Sequence, residues 1–359
     1  MSTDAKLLSL ARPDIRTLKA YVPANYADGL TRLNANEAPW TSASDHSTRG
    51  LNHYPPARPQ TLTETLADHY AVDNEHLFVT RGTSEAIDLL IRCFCRPSID
   101  RVVISPPTFG MYQVYADIQG VAVDRVPLHI DDARTRLPVD EIIDAWTGTH
   151  RLVFVTTPNN PTGGLADPDD IERLAVALLG RGIVVIDAAY IEFADPTQVM
   201  SLARFPNVVV LRTLSKAFGM AGARCGSLIA DPTLIDLVAR VMPPYAMPTP
   251  SIEATTSALV AEQESIMPAR IAELIQNREQ LKQSLSGLPS VTKIWDSDAN
   301  FLLVAFDDAA AAMQAAYEAG YLLRDFSNGA DTHNCLRITV GTREDNNKLL
   351  LALGQVAST

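Results

Sequence analysis

Apolar residues along the first two thirds of the chain fall into two alternating patterns. Short, nearly unbroken runs of Val, Ile and Leu at residues 77–80, 102–105, 121–127, 152–156, 183–186, 208–211 and 227–230 predict strands. Between them, apolar positions spaced three and four apart predict helices at 62–70, 109–119, 139–146, 168–179 and 234–241. A further helix opens at Thr83 or Ser84, because Ile87, Leu90, Ile91 and Phe94 recur at i, i+3, i+4 and i+7. Apolar strands that alternate with helices indicate a mostly parallel sheet covered on both faces. Near Met242 the run M-P-P-Y-A-M-P-T-P breaks the pattern with four prolines. Beyond it the spacing predicts a long helix at 252–285, strands at 291–295, 301–304, 321–323 and 336–340, and helices at 309–319 and 344–356. The opening 36 residues are polar, are punctuated by Pro13, Pro23 and Gly29, and read as an arm that packs on something else.

The fold expected is α/β, with three parts. An N-terminal arm and small-domain segment takes residues 1–50. A large domain at 51–250 holds a mostly parallel sheet flanked by helices, and an interdomain helix with a smaller α+β domain fills 251–359.

Composition narrows the chemistry. With 42 acidic against 30 basic residues the net charge is -12, which argues against nucleic-acid or anionic-membrane partners, so an anionic small ligand needs locally placed arginines. Four cysteines make no disulfide framework, seven histidines lack ligand spacing, and no metal site is expected. No apolar run reaches the ~18 residues of a membrane span, and the start lacks a signal-peptide core. A cytoplasmic protein is expected.

In parallel sheets ligands sit beyond the carboxyl ends of the strands, and here those ends are chemically furnished. Gly82-Thr83-Ser84 opens a helix, which is either an ordinary N-cap or an anion site of backbone N–H groups and hydroxyls. Phe109 is either core or a face on which a planar ring stacks. Asn160, in T-P-N-N-P-T-G, is part of a plain turn or a donor to a phenolate-type oxygen. Asp187, ending an apolar strand, is an N-cap or the partner of a cation such as a pyridinium nitrogen, with Tyr190 as a second donor to the ring. Leu211 to Gly226 holds one lysine, Lys216, with Thr213, Ser215 and Arg224 around it. These are either a strand end with a surface lysine or an imine-forming amine beside the donors a phosphate wants. No G-x-G-x-x-G follows the first strand, which excludes a nicotinamide dehydrogenase of the usual kind, and no basic arm suggests a DNA-binding regulator.

Together these segments resemble the pyridoxal-phosphate aminotransferases of fold type I, and within them the histidinol-phosphate aminotransferase family, along nearly the whole chain. The resemblance is carried by L-N-A-N-E, Y-P, R-G-T-S-E, P-P-T-F-G-M-Y, P-N-N-P-T-G, D-A-A-Y-I-E-F, R-T-L-S-K-A-F, A-G-A-R-C-G and C-L-R-I-T-V-G-T-R-E. It implies pyridoxal 5'-phosphate as cofactor, linked to Lys216, with Asp187 on the pyridine nitrogen and Asn160 and Tyr190 on the ring oxygen. It implies Phe109 on the ring face, and Thr83, Ser84, Thr213, Ser215 and Arg224 on the phosphate. Three positions depart from the family pattern: Phe109 stands where tyrosine is usual, Thr83-Ser84 replaces an Ala-Asp pair, and Ala188 replaces a glutamate.

For the substrate, alternation along L-R-I-T-V-G puts Arg337 and Thr339 on one face of a strand, and Arg324 ends another. These arginines either bind a substrate phosphate or bridge to acidic neighbours such as Asp325. The resemblance adds Tyr21, Asn36 and Tyr54 as substrate residues, the last contributed by a neighbouring subunit of a homodimer. The reaction implied moves the amino group of L-histidinol phosphate to 2-oxoglutarate, a small-molecule amine and a 2-oxo acid. An aromatic amino-acid aminotransferase or a phosphothreonine decarboxylase of the same fold is the alternative.

Overall fold

A computed structural model describes residues 2–24, 30–262 and 266–356. The strands are β1 (Leu77–Thr80), β2 (Arg101–Ile104), β3 (Ala122–Arg125), β4 (His129–Asp131), β5 (Arg134–Arg136), β6 (His150–Thr156) and β7 (Ile183–Asp187). They continue with β8 (Val208–Thr213), β9 (Gly226–Ala230), β10 (Val291–Ile294), β11 (Phe301–Phe306), β12 (Arg324–Asp325) and β13 (Cys335–Thr339). Seven form one sheet in the order β1-β9-β8-β7-β6-β2-β3. From β8 to β3 every pairing is parallel, whereas β9 runs antiparallel to both β1 and β8.

The unbroken Val/Ile runs follow from burial on both faces. Val102, Ile104, Leu152, Phe154, Val185, Val209 and Leu211 pack with the helices Thr83–Phe94 and Pro232–Val241, while Val103, Val153, Val155, Val184, Ile186 and Val210 pack with Gln60–Tyr70 and Pro168–Ala177. The carboxyl ends of β6, β7 and β8 lie side by side, since Thr156 is in register with Asp187 and Asp187 with Leu211. Strand β8 continues to Thr213, two residues beyond the expected end, because β9 pairs Gly226 with Thr213.

A second, antiparallel sheet has the order β10-β11-β13-β12 and a core of its own, in which Leu302, Val304, Leu336 and Ile338 meet Leu281, Leu285, Leu349 and Leu353 from helices. No helix among the described residues is long and apolar enough to cross a membrane.

Several expected elements differ. The arm is not irregular near its start: Thr3–Leu10 and Pro13–Thr17 are helical, and their Leu7, Leu10 and Ile15 are buried in the core of the large sheet. Pro13 sits in the first turn, where its missing N–H costs nothing, and so starts a helix. The single helix expected over 252–285 is two, Thr249–Glu262 and Met267–Leu285, the second with proline in its first turn. The strand expected at 321–323 forms three residues later, as β12 paired with Leu336 and Arg337. The helix expected from Phe109 starts at Met111, leaving Phe109 in the preceding turn.

Candidate active site

Beyond the ends of β6, β7 and β8 lies a cavity of about 150 Å³. Its walls bring together ten of the residues singled out from the sequence: Thr83, Ser84, Phe109, Asn160, Asp187, Tyr190, Thr213, Ser215, Lys216 and Arg224. At one end the helix Thr83–Phe94 points its N-terminus into the cavity after Gly82, whose φ of 80° suits glycine. That end is closely fitted. A Cβ on Gly226 would lie 2.7 Å from the Thr83 nitrogen, and one on Gly82 would lie 2.8 Å from Arg224 Nη2. Two glycines thus let the helix end and the Arg224 guanidinium approach the same space. Ser215 joins them, with its N–H donating to Thr213 Oγ1 at 3.1 Å and the two hydroxyls 3.0 Å apart.

At the opposite end Asp187 is 3% exposed. Its Oδ2 accepts from the Tyr112 hydroxyl at 2.8 Å and its Oδ1 from Ala189 N–H at 3.3 Å, with no cation in ion-pair contact among the described residues. Burial pushes its pKa up, and the Tyr112 bond and the Lys216 charge only partly oppose this. Lys216 lies with its Nζ 5.2 Å from the centre of the Tyr190 ring. Burial, then the positive charges of Arg337 and Arg224, push its pKa below that of an ordinary lysine, while Asp187 pulls it back. Burial drives the Tyr190 hydroxyl up to about 12, so it is a neutral donor at physiological pH.

Arg337 reaches this end from the small sheet. Its Nη1 donates to Asn160 Oδ1, which leaves the Asn160 amide hydrogens facing the Tyr190 hydroxyl at 3.5 Å. Its guanidinium lies 5.0 Å from the Phe301 ring centre and 5.4 Å from that of Phe326, and its buried Nε has no hydrogen-bond partner among the described residues.

The sequence model of the family described as Aminotransferase class I and II matches residues 25–353. A curated histidinol-phosphate aminotransferase from Xylella fastidiosa (strain 9a5c) is 41% identical over 355 residues, 98% of this chain and 97% of its own. Another, from Stenotrophomonas maltophilia (strain R551-3), is 42% identical over 97% of this chain and 96% of its own. The chain belongs to the class I and II aminotransferases, among the histidinol-phosphate aminotransferases. A solved histidinol-phosphate aminotransferase from Sinorhizobium meliloti, in complex with pyridoxal-5'-phosphate, shares this aminotransferase's fold with a TM-score of 0.76 at 21% identity, over 85% of this chain and 83% of that one.

Class I and II aminotransferases work with pyridoxal phosphate. The cavity of this aminotransferase fits that group: a buried carboxylate with no paired cation among the described residues lies at one end, and a helix N-terminus with four hydroxyls and an arginine at the other.

All five expected substrate residues lie outside the cavity lining, Arg337 meeting it only through Asn160. Tyr21 is 64% exposed, and Asn36 is exposed with a φ of 56°. Tyr54 is 49% exposed, its ring stacked on Tyr245 at 4.8 Å and its N–H held by Glu37. Arg324 is exposed beside Arg337 on the paired strand, and Asp325 accepts from Ser327 N–H at 2.7 Å. Tyr112 and Thr156 escaped the sequence reading. The signal was a tyrosine on the apolar face of its helix, since a buried hydroxyl needs a partner.

Proposed function

We propose that the chain transfers the amino group of L-histidinol phosphate to 2-oxoglutarate, giving imidazole acetol phosphate and L-glutamate, as a step of histidine biosynthesis in the cytoplasm. The observation that carries this reading is the meeting of Lys216 and Asp187 on one cavity, whose wall residue Asn160 is bonded by Arg337, in a chain about 40% identical to histidinol-phosphate aminotransferases.

Bound in the cavity, pyridoxal phosphate supplies an aldehyde for amines and a ring that withdraws electrons. Thr83, Ser84, Thr213, Ser215 and Arg224 hold its phosphate, and Phe109 covers its ring. Asp187 keeps a proton on the pyridine nitrogen, and Asn160 and Tyr190 donate to the ring oxygen. The depressed pKa of Lys216 makes its neutral amine accessible. That amine takes a proton from the substrate carbon bearing nitrogen and later returns one. Arg337 and Arg324 hold the substrate phosphate, aided by Tyr21 and Asn36 and by the partner subunit's Tyr54. Residues 51–250 thus carry the cofactor, and residues 251–359 bring the arginines.

Amine-donor profiling of the purified protein with pyridoxal phosphate and 2-oxoglutarate tests this. Glutamate should form from histidinol phosphate with kcat/KM at least about 100-fold above that for phenylalanine, because a site built for phosphate leaves its arginines unpaired without one. A preference for phenylalanine, or carbon dioxide release from phosphothreonine without glutamate, overturns the reading.

A further inference from the structure

A second set of buried polar side chains lies behind the cavity, and none of the roles above uses it. Arg212 shares a face of β8 with Val208 and Val210, so its side chain enters the layer of the helix Gln60–Tyr70. It is 3% exposed and Glu192 is 9% exposed. Arg212 Nη2 donates to Glu192 Oε1 at 2.9 Å, and the guanidinium lies 4.6 Å from the Tyr70 ring centre. Among the described residues, Arg212 Nε and Glu192 Oε2 are buried with no hydrogen-bond partner. A half-satisfied buried ion pair is a poorer source of stability than apolar side chains of the same volume, so packing does not account for it.

What the pair joins does account for it. Glu192 sits on the turn after β7, two residues beyond Tyr190 and five beyond Asp187. Arg212 directly precedes Thr213 and lies four residues before Lys216. Apart from this ion pair, the turn is tied to β8 by the Ala188 N–H bond to Leu211 O at 3.0 Å.

We propose that Arg212 and Glu192 are positioning residues that fix the spacing between the strand end bearing Lys216 and the turn bearing Asp187 and Tyr190. Neither touches the cavity. The inference rests on the reading of that cavity as the cofactor site.

Replacing the pair with apolar residues, Arg212→Met together with Glu192→Leu, separates positioning from stability. The double variant without cofactor should melt at or above the parent temperature. It should nevertheless bind pyridoxal phosphate about tenfold more weakly in an absorbance titration, shift the pH titration of the bound cofactor's visible band, and lose about 100-fold in kcat with a smaller change in KM. A folded double variant with parental cofactor affinity, band titration and kcat overturns the proposal. If it does not fold, Arg212→Lys decides, because it keeps the charge but loses the rigid fork. A shifted band and weaker cofactor binding support positioning, and parental values for both overturn it. Both cofactor readouts are independent of the amine donor, so failure of histidinol phosphate as substrate would leave this result standing.

Discussion

Tyr112 approaches Asp187 from a helix, and its hydroxyl also lies 2.8 Å from Thr156 Oγ1, which is itself 3.1 Å from Thr108 Oγ1. This hydroxyl chain lets the tyrosine proton face the carboxylate and favours the ionised form that a pyridinium needs. Asp187 titrates in the folded protein above the ordinary value of 3.8. Its contribution to the stability of the cofactor-free protein is therefore present below that value and is lost as pH rises through the raised one. Tyr112→Phe is nearly isosteric and removes the one side-chain donor to Asp187 among the described residues, raising its pKa further. The acid limb of the kcat/KM profile should move to higher pH, and kcat/KM at neutral pH should fall about tenfold, the worth of one charge-assisted hydrogen bond. An unmoved acid limb in steady-state assays would sink this account.

Among the elements, the parallel strands were legible because burial on both faces writes itself as Val/Ile runs, and the residues at their carboxyl ends were legible because Lys216, Asp187 and Asn160 interrupt those runs with chemistry. The β4–β5 hairpin was not, since His129 to Arg136 is mostly polar and has neither period. The helix Thr3–Leu10 was hidden for a similar reason, burying only Leu7 and Leu10. Element ends were set by pairing that the local sequence does not carry, as where β9 prolongs β8 to Thr213. That same pairing presses Gly226 against the start of the helix Thr83–Phe94, with a Cβ 2.6 Å from Gly82 C. The obstacle is backbone and has no rotamer to give. Gly226→Ala should therefore displace the helix N-terminus and weaken pyridoxal phosphate binding about tenfold or more, measured by absorbance titration. Binding at parental strength would show that the helix end does not hold the phosphate.

At the scale of the whole molecule, the bond of Arg337 to Asn160 and the ring contact of Phe301 with Tyr190 join the small sheet to the site beyond the large one. Tyr54 and Tyr21 are exposed on the surface of the single chain. A homodimer with Tyr54 acting across its interface predicts complementation. Lys216→Ala and Tyr54→Ala chains, each inactive alone, should regain about a quarter of parental activity after unfolding and refolding together, because half the dimers are hybrids with one complete site of two. No recovery in the mixture would place Tyr54 in the site of its own chain, and an active Tyr54→Ala chain would place it outside any site.

The buried carboxylate of Asp187 has a further consequence for the life of the protein. A chain that keeps an uncompensated acid in its core opens more readily, and a ligand that brings the missing cation closes it, by about 2.7 kcal/mol at a hundred times its dissociation constant. Where pyridoxal phosphate runs short, newly made chains would be cleared by proteases sooner, so the supply of the cofactor would set the abundance of the enzyme as well as its occupancy.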